Sequence, residues 1–171
     1  METVTLLLLS ILPCLAIAAG LHDLTTMKIP NWISGLLILS FFPAAFMVGL
    51  SPMTVAIHFG IAVLALFVGM GLFAMRYIGG GDAKLMAAVC LWLGVSGSAM
   101  FILYTAVAGG AFCMVLIFAR SELRPYVLGT ADWVDSLMEP KGDIPYGVAV
   151  AIGALMAFPS SILLTTFAAG H

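Results

Sequence analysis

The chain has 171 residues, of which 63% are hydrophobic and only 8% are charged, and its formal net charge is −2. An ordinary soluble domain has roughly 25% charged residues, so this chain cannot cover a water-facing surface with polar groups. The composition therefore excludes a water-soluble globular protein and predicts a protein that lies in lipid.

Six apolar stretches reach or approach the length that crosses a bilayer, about 20 helical residues. In chain order they are residues 4–21, 32–50, 53–75, 85–95, 99–119 and 144–169. The fourth is short, and it can borrow residues from Ala83 onward and from residues 96–98, which are small and are predicted to form the turn to the fifth stretch. Strand-like alternation is absent, so the sequence predicts an all-α, polytopic bundle of about six transmembrane helices, forming a single integral-membrane domain over residues 1–171.

The first stretch has a second interpretation as a cleaved signal peptide, because Ala16-Ile17-Ala18 resembles a cleavage site. However, the residues before it include Glu2 and no Lys or Arg, whereas secretory signals begin with positive charge. We therefore expect a retained helix, with cleavage as the alternative.

The positive charges predict how the helices are oriented. If the chain crosses the membrane six times, every Lys and Arg falls on the same side. These residues are Lys28, Arg76, Lys84, Arg120, Arg124 and Lys141. The positive-inside rule makes that side cytoplasmic and places both termini outside. Seven of the eight acidic residues share this side, so we expect the polar chemistry at the cytoplasmic membrane interface.

The three cysteines, Cys14, Cys90 and Cys113, lie singly in apolar stretches without a C-x-x-C pair. Such cysteines behave as small buried hydrophobic residues, and we predict no metal site and no cofactor. A G-x-G-x-x-G loop is also absent around Gly79, and no nucleic-acid partner is expected.

Between the third and fourth apolar stretches, three glycines and an aspartate interrupt the hydrophobic pattern, in the sequence RYIGGGDAKL (residues 76–85). Asp82 has the position of a helix N-cap, which would be a purely structural role. Asp23 occupies the matching place at the end of the first stretch. In antiparallel helices the two carboxyl groups reach the same depth, where two acids are costly unless they have a shared function.

Two carboxyl groups close together in a low dielectric cannot both ionise, so one keeps its proton. The charged one takes a proton from water, and the neutral one donates a proton to the carbonyl oxygen or leaving amine. This chemistry hydrolyses a peptide bond without metal, serine or cysteine. Asp23 and Asp82 are therefore candidates for an aspartic peptidase dyad.

Three segments resemble the prepilin peptidases, a family of intramembrane aspartic peptidases with a G-x-G-D motif. GGGDAKL (residues 79–85) is similar to that motif in its G-x-G-D-x-K-L form. DLTTMKIPNW (residues 23–32) resembles the segment that carries the first aspartate of the family. KGDIPYGVAVAIGAL (residues 141–155) is similar to the opening of the last helix. The three segments follow one another in the order of the family.

The resemblance implies that Asp23 and Asp82 are the catalytic pair. It also implies that nearby motif residues bind substrate or support the site: Gly79, Gly81, Lys84, Lys28, Pro30, Asn31, Pro145, Tyr146 and Gly147. The implied substrates are prepilin and pseudopilin precursors, cut after a glycine between a basic leader and an apolar helix. The implied location is the bacterial inner membrane, in contact with lipid and with the pilus assembly machinery as a further partner.

Larger prepilin peptidases contain a cysteine-rich cytoplasmic insertion linked to methylation of the new amino terminus. This chain has no C-x-x-C motif and lacks that insertion. It therefore resembles the small, peptidase-only branch of Flp-type (tight adherence) pili, the CpaA/TadV group. Two other classes stay open on the residues alone: a transporter or proton relay that uses the same aspartates, and a structural subunit in which they only cap helices.

Overall fold

A computed structural model describes residues 2–140 and 142–169, which are helical with no strand in either range. Lys141, one of the cations assigned to the cytoplasmic side, lies outside the described residues. The helices are α1 (Glu2–Thr26), α2 (Asn31–Val48), α3 (Pro52–Ala74), α4 (Gly80–Glu122), α5 (Arg124–Val127), α6 (Asp132–Leu137), α7 (Tyr146–Ala157) and α8 (Ile162–Ala169). A 3-10 turn, Phe158–Ser160, joins α7 to α8.

Five segments among the described residues are long and apolar enough to cross a membrane: α1, α2, α3, α4 and the combined segment Tyr146–Ala169. Large hydrophobic side chains such as Leu39, Phe46 and Phe67 are exposed on the outside of the bundle, as lipid contact requires. The prediction of an all-α, polytopic membrane protein is confirmed. The ends of the first three predicted stretches differ from the observed helices by only a few residues.

Helix α4 contains both the fourth and the fifth predicted stretches and has 43 residues. Its backbone leaves the helical conformation at Gly94, where φ is 68° and ψ is −164°. Asp82 and Cys113 of this helix line the same cavity, although a straight helix would separate them by about 46 Å. The chain therefore turns back near Gly94. The predicted turn at residues 96–98 is wrong, because those residues are helical.

Two features explain why this reversal uses a glycine. The positive φ at Gly94 is unfavourable for residues that have a Cβ atom. A Cβ there would also lie 2.6 Å from Nε2 of His58, which is fully buried in α3. The His58 ring stacks on Phe41, and its Nδ1 lies 2.7 Å from the carbonyl oxygen of Leu91. His58 therefore makes a hydrogen bond within the bundle, as expected for an ionisable residue in an apolar stretch.

Glycines allow the central helices to approach closely, as small residues often do in membrane bundles. A Cβ at Gly20 in α1 would lie 2.9 Å from Cβ of Ala151 in α7. Gly153 in α7 packs directly against Thr105 in the second half of α4. These contacts hold α7 between α1 and α4, and the first turn of α7 thereby reaches the end of the bundle that carries Asp23 and Asp82.

Candidate active site

Both predicted catalytic aspartates are buried and lie at the same end of the bundle. Asp23 is in the last turn of α1 and is 5% exposed, whereas Asp82 is in the first turn of α4 and is 8% exposed. Both side chains line the same two cavities. Two carboxyl groups from distant parts of the chain are thus brought to one place, as the antiparallel helices predict.

Asp23 is oriented by the start of α7. Its Oδ2 atom accepts a hydrogen bond of 2.7 Å from the backbone N–H of Gly147. The first N–H groups of a helix have no partner within that helix, so they are free to bind a carboxylate. Gly147 itself must lack a side chain, because a Cβ there would lie 2.8 Å from Oδ2 of Asp23 and 2.8 Å from Cδ1 of Ile29.

Asp82 is oriented by the start of its own helix. Its Oδ2 atom accepts a hydrogen bond of 3.0 Å from the backbone N–H of Gly79, the residue that precedes α4. Asp82 is therefore not the N-cap residue, which is Gly79, but its side chain does cap the helix start from position N3. However, Asp82 Oδ1 is buried and has no hydrogen-bond partner among the described residues. Capping uses only one oxygen, and the other remains available to a ligand or to water.

The two cavities meet at the aspartates. The larger has a volume of about 620 Å³ and the smaller about 320 Å³. They share four lining residues: Asp23, Met27, Gly79 and Asp82. The larger cavity continues along the end of α3 and the start of α7, whereas the smaller one continues along residues 28–29 and 79–81. A chain bound across both cavities would pass directly over the two carboxyl groups.

Two of the predicted glycines pack closely around the site. A Cβ at Gly79 would lie 2.9 Å from Oδ2 of Asp82. A Cβ at Gly81 would lie 3.0 Å from Cβ of Ile29 and 3.3 Å from its carbonyl oxygen. Both glycines also line the smaller cavity. Both glycines are therefore closely packed and at the same time form part of the cavity lining.

The predicted residues of the α1–α2 connection have different positions. Lys28 lines the smaller cavity. Pro30 is the N-cap of α2, and Asn31 is the first residue of that helix. Lys84 donates a hydrogen bond of 2.8 Å from Nζ to Oδ1 of Asn31. Neither cavity is lined by Pro30, Asn31 or Lys84. The hydrogen bond between Lys84 and Asn31 therefore joins α4 to α2 beside the site and not within it.

The predicted residues at the start of α7 are all at the site. Pro145 is the N-cap of α7, and Pro145 and Tyr146 line the larger cavity. A Cβ at Gly109 would lie 3.1 Å from the Tyr146 ring, so the ring packs closely against the second half of α4. Gly147 binds Asp23.

Two non-glycine residues near the site have a left-handed backbone, Met27 with φ of 55° and Arg76 with φ of 62°. They follow the last turns of α1 and α3, and both line the larger cavity. After α3, the N–H of Arg76 bonds the carbonyl of Phe73 and the N–H of Tyr77 bonds that of Leu72, which is the hydrogen-bond pattern of a Schellman motif. These turns end α1 and α3 beside the cavity.

Sequence reasoning missed several residues of the site. Ile29 contacts the positions of both Gly81 and Gly147, and Cys113 lines the larger cavity although it was interpreted as a structural residue. Asp143 was not missed: it is a third acid beside the α7 motif to which the sequence gives no catalytic role, and its exposed side chain lines the same cavity. Ile29 lies within residues 23–32, the segment that resembles the first-aspartate motif, so the sequence did carry a signal for its place at the site. Cys113 had none, because its place at the site depends on the reversal at Gly94.

Residues 10–114 match the model of a family described as the type IV leader peptidase family. The match covers more than half of the chain and includes Asp23 and Asp82. No curated protein and no solved structure matches the chain at a significant level.

Proposed function

Because the chain belongs to the type IV leader peptidase family, we propose that it is the endopeptidase that removes the basic leader from Flp-type prepilin and pseudopilin precursors. One observation carries the proposal: two buried aspartates from different helices line one pair of cavities at one end of a membrane bundle. Peptide hydrolysis by two carboxyl groups needs this convergence. Neither helix capping nor packing requires it.

In the proposed reaction, one ionised carboxylate removes a proton from water while the oxygen of that water attacks the peptide carbonyl carbon. The protonated carboxyl group of the pair donates its proton toward the carbonyl oxygen, and the resulting diol collapses as the C–N bond breaks. The leaving nitrogen takes the proton of the dyad, and one hydroxyl group of the diol gives its proton to the carboxylates as the carbonyl forms again, so the dyad returns to one shared proton. The N–H groups of Gly147 and Gly79 orient the two carboxyl groups, and Asp82 Oδ1 is free to meet the water or the substrate.

The position of the site suits a substrate that is cut where a helix ends. Carbonyl groups within a helix are already hydrogen-bonded, so a peptidase requires an extended segment. The junction between a polar leader and an apolar helix provides such a segment at the depth of Asp23 and Asp82. Gly79 and Gly81 line the smaller cavity, where an extended substrate would meet main-chain atoms of the protein at these two positions.

Cleavage is tested with the purified protein in lipid nanodiscs and a synthetic Flp-type precursor, with the products located by mass spectrometry. We expect one cut, directly after the glycine that ends the basic leader. A precursor in which that glycine is replaced by valine serves as the control and should remain intact. Absence of any cut in the first precursor would contradict the proposed substrate class.

We further propose that the protein spans the bacterial inner membrane with the aspartates facing the cytoplasm. The described cations Lys28, Arg76, Lys84 and Arg120 lie at the end of the bundle that carries the aspartates, which supports this orientation through the positive-inside rule.

Orientation is tested by labelling single cysteines introduced into a cysteine-free variant. A membrane-impermeant maleimide added to spheroplasts should label cysteine at the exposed positions Ser51 and Ser96. Cysteine at Thr130, which is also exposed, should react only after the membrane is opened. The opposite pattern would place the aspartates outside and would contradict a cytoplasmic site.

A further inference from the structure

Arg120, near the end of α4, binds three main-chain carbonyl groups of the segment that follows. Its Nε donates to the oxygen of Leu137 at 2.9 Å, Nη1 to that of Gly142 at 3.0 Å, and Nη2 to that of Asp143 at 2.8 Å. All three acceptors are backbone atoms. The guanidinium group therefore fixes the path of the chain, and its contacts do not depend on the side chain of Asp143.

The bound backbone belongs to a wall of the larger cavity. Residues 142–146, here called the rim segment, all line that cavity. Residues 142–145 have no regular secondary structure, and their backbone hydrogen bonds to neighbours in sequence are at the two ends, from the N–H of Gly142 to the carbonyl of Glu139 and from the N–H of Val148 to the carbonyl of Pro145. Arg120 holds the first two residues of the rim segment, and the packing of Tyr146 against Gly109 holds the last. The segment is thus tied at both ends.

An arginine suits this position because its planar guanidinium group presents several donors in a fixed arrangement. The Leu137 carbonyl is at the C-terminal end of α6, where carbonyl groups lack partners within the helix. The Leu137 side chain is buried and anchors that end of α6. A lysine has a single charged nitrogen and cannot reproduce three separate, directed hydrogen bonds.

We propose that Arg120 is a positioning residue for peptide hydrolysis, which fixes the rim segment as a rigid wall against which the extended precursor binds. The inference rests on the proposed function, because it assigns this wall to substrate binding. Arg120 acts on the wall and not on the dyad, since the Asp23–Gly147 hydrogen bond is held separately by the packing of α1 against α7 at Gly20 and Ala151. Its loss should therefore affect substrate binding more than the chemical step.

The test compares Arg120→Gln and Arg120→Lys with the control Arg124→Gln in the precursor cleavage assay. For Arg120→Gln, which removes the charge and the donors to the three carbonyl groups, we expect KM to rise about tenfold because the wall is no longer fixed for binding, while kcat changes less than about twofold. Arg120→Lys should give an intermediate KM. Arg124→Gln removes the same charge four residues away, from a side chain whose Nε has no hydrogen-bond partner among the described residues, and should leave KM unchanged.

A second measurement does not depend on cleavage. Cysteine at Ile144, within the rim segment, should react faster with a small maleimide when Arg120 is replaced by Gln or Lys, and not when Arg124 is replaced. Unchanged reactivity would overturn the positioning role. Unchanged KM in the folded fraction, or a loss confined to kcat, would overturn the assignment of the wall to substrate binding. If the unmodified protein cuts no precursor, the proposed function fails, while the labelling still decides whether Arg120 fixes the rim segment.

Discussion

Replacing either Asp23 or Asp82 by asparagine is expected to abolish precursor cleavage, with a fall in kcat of at least about 100-fold. Asparagine keeps the size of the side chain and an oxygen that can accept the N–H of Gly147 or Gly79. It removes only the ionisable proton. Both variants should insert and accumulate like the unmodified protein, so the loss can be read as a loss of chemistry.

The control is Asp132→Asn, which removes a carboxylate from an exposed position at the start of α6. This variant should cleave precursor at the normal rate. A single mutant at Asp23 or Asp82 that cleaves at near-normal rate would rule out the dyad. A proton relay would instead carry ions into proteoliposomes without cleaving any precursor. In that case both asparagine variants would lower the ion flux.

Replacing Gly147 by alanine is expected to lower kcat by about 100-fold even though both aspartates remain, because a displacement of a reacting group by about 1 Å has effects of that size. The added Cβ would lie 2.8 Å from Oδ2 and 2.9 Å from Cβ of Asp23. Ile29 blocks the other side, with Cδ1 at 2.8 Å. The Asp23 carboxyl group must therefore move away from its place in the site.

Two alanine substitutions separate this effect from a general loss of packing. Gly110→Ala adds the same methyl group to α4 where no atom lies within 4 Å, and it should be silent. Gly153→Ala crowds α7 against the second half of α4, at a position where the nearest atoms all belong to Thr105 and none to the carboxyl groups. It should lower the melting temperature while kcat of the folded fraction is kept. Equal kcat for Gly147→Ala and Gly110→Ala would contradict the role given to Gly147.

The apolar stretches predicted the helices well because each depends on local sequence: a run of about 20 apolar residues must satisfy its backbone internally in lipid. One prediction about a turn was wrong, because a contact between two helices decides where the chain reverses. The residues 96–98 were predicted to form the turn because they are small, yet they are helical and the reversal is near Gly94. His58 of another helix packs against that position, and this contact between α3 and α4 has no signal in the sequence around Gly94.

The sequence by itself determined the class of protein, the two candidate aspartates and the family resemblance, because composition, run length and motif spacing are properties of neighbouring residues. Only the tertiary structure decided what surrounds the aspartates. The N–H that orients Asp23 comes from Gly147, 124 positions away, and the carbonyls that bind Arg120 lie 17 to 23 positions away. Such partners depend on how helices cross and on which glycines allow close approach, and those distances are set only when the whole bundle packs.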